Sequence, residues 1–174
     1  MMNDSMNDSA RHDERHAERH DERHAEYVTF AVGGQLFGLP IGRVRDVFKP
    51  TRITPVPLAG PEIAGVLNLR GRVVTAIDLG KRLGLESAAA AAAAGAAPMA
   101  VGIETGAESF GLLVDAVGEV LKLADGECEP CPVHLDRDLA CVATGVFRLD
   151  GGLLVVLDID RVLDVGGAPQ VAAA

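Results

Sequence analysis

The chain has 174 residues, 48% hydrophobic but only 3% aromatic, has no tryptophan and carries a formal charge of −9. Twenty-six of the hydrophobic residues are alanine, which buries little area, and the length suits one domain or two very small ones sharing a core. An acidic chain with no cluster of Lys and Arg is a poor match for a nucleic-acid backbone, and its apolar runs fall far short of the about 20 residues of a membrane helix. Met1-Met2-Asn3-Asp4-Ser5 offers no apolar core for a signal peptide, so a cytoplasmic protein is expected. Its three cysteines do not suggest a disulfide framework.

In chain order, residues 11–26 read RHDERHAERHDERHAE, an eight-residue unit repeated without change. With no apolar side chain larger than alanine, residues 1–26 are expected to be a disordered tail. His12, His16, His20 and His24 stand four apart, a spacing that would let some of them share a metal on one helical face. Setting aside the tail's 4 arginines and 8 acidic residues leaves 12 basic against 17 acidic, a charge of only −5. Tyr27–Val32 alternates as a strand, and Gly33-Gly34 offers a hairpin turn into Leu36–Ile41. Ile41–Phe48 carries apolar residues three apart, which fits a helical turn or an irregular strand. Gly65–Leu69, Arg70-Gly71 and Arg72–Ile77 read as a second hairpin. Asp78 then stands as an N-cap before Leu79–Leu83. Residues 87–98 are an alanine-rich loop. The chain then repeats itself, ending in a short tail at 167–174.

The repetition is dense. Phe37-Gly38-Leu39, Ile41, Val44 and Val47 match Phe110-Gly111-Leu112, Val114, Val117 and Val120 at an offset of 73. Gly65-Val66-Leu67, Leu69, Gly71 and Ile77-Asp78-Leu79 match Gly145-Val146-Phe147, Leu149, Gly151 and Leu157-Asp158-Ile159 at an offset of 80. The folded part, 27–166, is therefore expected to be mainly β, with related halves at about 27–86 and 99–166. Many short strands punctuated by Gly and Pro point to small barrels.

Duplication separates scaffold from function: what both halves carry serves the fold, and what one half carries is a candidate for function. Asp78 and Asp158 are equivalent, so they read as caps rather than as an acid–base pair. Arg70 corresponds to Asp150 in the other copy, so its guanidinium is displayed at a hairpin tip that does not itself require arginine. Arg43, Arg45 and Asp46 surround Val44, whereas the second copy has Ala116, Gly118 and Glu119, which suits a charged rim at a protein interface. Cys128 and Cys131, with His134 and Cys141 nearby, leave open a small metal or thiol-redox protein as an alternative from another class. A GxSxG elbow, a P-loop and a GxGxxG turn are all absent, so a non-enzyme without cofactor or metal is expected.

Phe37-Gly38-Leu39-Pro40-Ile41, Val44-Arg45-Asp46-Val47, Ile53-Thr54-Pro55-Val56-Pro57, Gly65 through Val74 with its Asn68-Leu69-Arg70-Gly71 turn, and Ile77-Asp78-Leu79 together resemble the CheW family of bacterial chemotaxis coupling proteins. The resemblance runs from about Tyr27 to Val165. It implies two intertwined five-stranded SH3-like β-barrels with short helices. It also implies a non-catalytic adaptor between the cytoplasmic tip of methyl-accepting chemoreceptors and the regulatory domain of a CheA-type histidine kinase. Such an adaptor would be cytoplasmic and recruited to receptor arrays, without inserting into the membrane; a chemosensory system controlling pili or another output is the alternative within this class. By motif, Val44 and Asp46 fall on the kinase-contact surface, and Arg70 and Gly71 in the turn important for coupling. Gly65, Leu67, Val114 and Val117 would line or support the receptor groove.

Overall fold

The computed structural model describes residues 23–86, 95 and 97–165. The expected disordered tail (apart from its last four residues), most of the alanine-rich loop and the C-terminal tail lie outside the described residues. So do three of the four regularly spaced histidines.

The first strand, β1 (His24–Val32), starts three residues inside the stretch expected to be tail. The cause is pairing: His24, Ala25 and Glu26 lie opposite Ala124, Leu123 and Lys122, and Asp125 N donates to Arg23 O at 2.8 Å. Backbone pairing, not side-chain apolarity, orders these residues. Gly33 and Gly34, at φ +57° and +80°, turn the chain into β2 (Gln35–Pro40). Both possibilities for Ile41–Phe48 are realised in succession. Ile41–Arg43 form one turn of 3-10 helix and Val44–Phe48 form β3. Next come β4 (Ile63–Leu69), β5 (Arg72–Asp78) and α1 (Leu79–Arg82). The second half follows the same plan with β6 (Met99–Thr105), β7 (Glu108–Val114) and β8 (Ala116–Ala124). It continues through α2 (Arg137–Val142), β9 (Ala143–Leu149), β10 (Gly152–Leu157) and α3 (Ile159–Leu163). Both expected caps form: Asp78 accepts from Lys81 N, and Asp158 from Asp160 N and Arg161 N.

The strands make two five-stranded sheets, ordered β8-β1-β2-β10-β9 and β3-β6-β7-β5-β4. The fold is thus the expected intertwined pair. Each repeat gives its first two strands to one sheet and its next three to the other, and each sheet is joined by a parallel pair, β5 with β7 or β10 with β2. The largest core is shared: Phe30, Phe37 and Leu39 of one sheet meet Val101, Ile103 and Leu112 of the other, with Leu79, Ile159 and Val162 from the helices and Leu83 at the end of α1. Smaller clusters lie under each sheet, Leu67, Val74, Ala76, Ala100 and Leu113 in one and Phe147, Leu154 and Val156 in the other. With five phenylalanines in the whole chain, these cores are filled chiefly by branched aliphatics.

The segments around Pro55-Val56-Pro57 and Pro130-Cys131-Pro132, which stand at corresponding places in the two halves, also have matching roles. Thr54 pairs with Val66 on the outer edge of β4, and Glu129 pairs with Val146 on that of β9. Such close approach requires glycine beside the contact. A Cβ on Gly65 would lie 2.2 Å from Thr54 O, and one on Gly145 would lie 2.6 Å from Cys128 Sγ and 2.9 Å from Glu129 O.

Candidate protein-interaction site

The Asn68–Gly71 turn is a two-residue hairpin loop between the paired Leu69 and Arg72. Arg70 and Gly71 both have positive φ, +53° and +83°, the primed turn whose twist suits a hairpin. Asn68 Oδ1 accepts from Gly71 N at 2.9 Å and holds the loop closed. Arginine in a left-handed conformation is unfavourable relative to Gly or Asn, so its presence points to a use for the side chain. The equivalent turn at Asp150-Gly151 is built differently, with its positive φ at Gly152.

On the opposite edge of the same sheet, β3 carries a β-bulge against β6: Val44 faces Ile103 and Asp46 faces Gly102, so Arg45 is the extra residue. Asp46 Oδ1 accepts from Val47 N at 2.8 Å, and its Oδ2 lies 3.1 Å from Arg70 Nη1. Arg45 Nε meets Glu104 Oε2 at 3.1 Å, and Arg72 pairs with the other oxygen of Glu104. Between these ion pairs lies a groove of about 300 Å³ with Phe48, Leu69, Val74, Ile103 and Phe110 as its apolar lining. Three guanidiniums and two carboxylates around an apolar floor offer a partner both contact area and directional charge. The Arg70 side chain is 79% exposed and that of Asp46 31%, so their ion pair contributes at most about 1 kcal/mol to stability.

Of the residues expected from sequence, Asp46 and Arg70 line this groove and Gly71 is exposed beside Arg70, whereas Val44, two residues before Asp46, is half-buried against the shared core. Leu67 and Val114 are buried in cores, so they can shape a groove only from beneath. Gly65 is the close-packing glycine described above, and Val117 is half-buried against the shared core. Arg72 and Glu104 were missed. Their counterparts are Gly152 and Ala31, so the one-copy criterion that singled out Arg70 would have found them too.

The cysteine loop is separate. Cys128 and Cys141 are exposed, Cys131 is half-buried against the shared core, and all three are free thiols. Burial first, then neighbouring Cys131 and Asp125, push the Cys128 thiol above its ordinary value, opposed by the Val146 backbone hydrogen bond. Redox cysteines need the reverse shift. Among the described residues, no three His, Cys, Asp or Glu side chains are grouped to hold a metal ion.

Two interlocked sheets that present a charge-rimmed apolar groove beside a rigid hairpin tip define a protein-binding β module. Residues 26–166 match the family model of the CheW-like domain, and the chain belongs to that family. It is similar to the chemotaxis protein CheW of Rhizobium meliloti (strain 1021), with 32% identity over 137 residues covering 79% of this chain and 86% of that one. The chemotaxis protein CheW of Bacillus subtilis (strain 168) is 30% identical over 138 residues, covering 79% and 85%. Among solved structures it resembles the scaffolding protein TtCheW of Thermoanaerobacter tengcongensis, with a TM-score of 0.70 and 26% identity, covering 86% of this chain and 99% of that one. The chain is accordingly a chemotaxis scaffold of the CheW type. Among the described residues, no helix is long and apolar enough to cross a membrane.

Proposed function

We propose that this protein is a non-catalytic bridge in the cytoplasm, recruited to receptor arrays, that binds the cytoplasmic tip of a chemoreceptor and the regulatory domain of a CheA-type histidine kinase together. The observation that carries this reading is the Arg70–Asp46 pair beside the apolar groove. An arginine held in a left-handed turn reaches an edge strand whose carboxylate is already oriented, and both charges stay accessible. A kinase domain of the same fold would dock on this face, burying the groove lining while its own polar groups engage Arg70, Asp46 and the Glu104 cluster. The receptor's helical hairpin would lie along the seam between the sheets near Val117, a helix-in-groove mode. Gly65, Leu67 and Val114 would support these surfaces from within.

Reconstitution tests this. With cognate receptor and kinase, receptor-stimulated kinase autophosphorylation should require this protein and should fall with Arg70→Ala. Full stimulation in its absence would overturn the reading.

A further inference from the structure

Among the described residues the chain passes between the two sheets twice: through Ile41–Arg43, from β2 into β3, and through Asp115, from β7 into β8. Both passages are pinned by a charged side chain. Arg43, expected from sequence on the charged rim, is not among the residues lining the groove and instead makes a two-point contact with Asp160 on α3, Nη2 to Oδ1 at 2.8 Å and Nη1 to Oδ2 at 3.3 Å. Such fork-to-carboxylate geometry fixes direction as well as distance. The same helix is held from a second side by Arg82, whose guanidinium donates to the carbonyls of Arg161 and Val162. At the other passage, Asp115 N donates to Ala31 O at 3.0 Å, and Asp115 Oδ2 accepts from Gly33 N at 2.9 Å. Both pins therefore anchor to elements associated with the β8-β1-β2-β10-β9 sheet.

Neither pin is a requirement of the repeated fold. Arg43 corresponds to Ala116, and Asp115 to Gly42, in the other copy. Each stands directly before a strand that the proposed function uses. Arg43 precedes Val44 and Asp46, and Asp115 precedes the strand carrying Val117. We infer that Arg43 with Asp160, and Asp115 with the Gly33 amide, are positioning residues that fix β3 relative to β8, so that a receptor bound at one strand alters the kinase bound at the other. The inference rests on the adaptor reading above.

The test separates binding from coupling. Arg43→Ala, Asp160→Ala and Asp115→Ala should each bind receptor and kinase domain separately within about twofold of the native protein, while receptor-stimulated phosphorylation falls about five- to tenfold. The exchanged pair Arg43→Asp with Asp160→Arg should recover most of the loss. Asp115→Asn, which keeps an oxygen for Gly33 N, should couple almost normally. Full coupling in the alanine variants overturns the inference. So does a loss of binding that accounts for the loss of coupling, or a failure of both restoring variants. If the native protein binds neither partner, the adaptor reading itself falls, and this inference with it.

Discussion

Arg70 Nη1 and Asp46 Oδ2 lie 3.1 Å apart although they come from β4–β5 and β3, at opposite ends of the strand order in one sheet. The sheet is curled enough for its two edges to face each other, and the ion pair spans the gap above Phe48 and Leu69. A contact this exposed adds little to folding, and it leaves a cation and an anion side by side at the surface.

A double-mutant cycle should separate those two roles. Arg70→Ala or Asp46→Ala should lower unfolding free energy by less than about 1 kcal/mol. Either should weaken binding of the kinase regulatory domain by about tenfold or more, as expected where a charge flanking the apolar contact is paired and desolvated on docking. Exchanging them, Arg70→Asp with Asp46→Arg, should restore the stability but not the binding. Calorimetric titration and urea unfolding measure both.

Glycine substitutions should rank by space. Gly65→Ala places a Cβ 2.2 Å from the Thr54 carbonyl oxygen at φ +147° and should cost several kcal/mol or abolish folding. Gly71→Ala, at φ +83° with nothing within 4 Å, should cost about 1 kcal/mol. Equal thermal midpoints for the two would contradict the close approach of Thr54 to β4.

The ordered start of β1 sets the length of tail that can be removed. Deleting residues 1–22 should leave the melting temperature unchanged. Deleting 1–26 removes the His24–Glu26 pairing with β8 and the Arg23 carbonyl contact, and should lower it by a few degrees, as about 1–2 kcal/mol would in a chain of this size. Equal melting of the two truncated proteins would show that this pairing contributes nothing.

The raised value of Cys128 gives a pH signature. Less of it is thiolate at neutral pH than of an ordinary cysteine, so alkylation should be slow there and rise only as the solution is made more alkaline. Mass spectrometry of samples alkylated at a series of pH values reads this out. Rapid neutral-pH labelling of Cys128 would revive the thiol-redox alternative.

Much of this was legible in the residues. The repeat shows on comparing the two halves, and the Gly33-Gly34 and Arg70-Gly71 hairpins and the Asp78 and Asp158 caps follow from local pattern, because turns and caps are made by neighbours in sequence. Strand partners are not written locally. Period-two alternation shows which face of β1 is buried, but nothing in it states that β1 pairs with β8, some ninety residues away. Only the family resemblance anticipated that the repeats interlock. The order at His24–Glu26 was invisible for the same reason, since it depends on backbone pairing with a distant strand. Arg72 and Glu104 each lie within reach of the one-copy criterion, but that they meet is not written locally, because they stand on β5 and β6 with β7 between them.

The strand orders also govern how the molecule is made. One sheet is complete once the chain has been synthesised through β7, whereas β1 and β2, the first strands to emerge, belong beside β8, β9 and β10, the last. A two-stranded ribbon is barely stable alone. The earliest hairpin must therefore wait, with open edges, until nearly the whole protein has left the ribosome. A chain stopped after β7 would carry Arg70 and Asp46 on a complete sheet, while β1 and β2 would have none of β8, β9 and β10 to join.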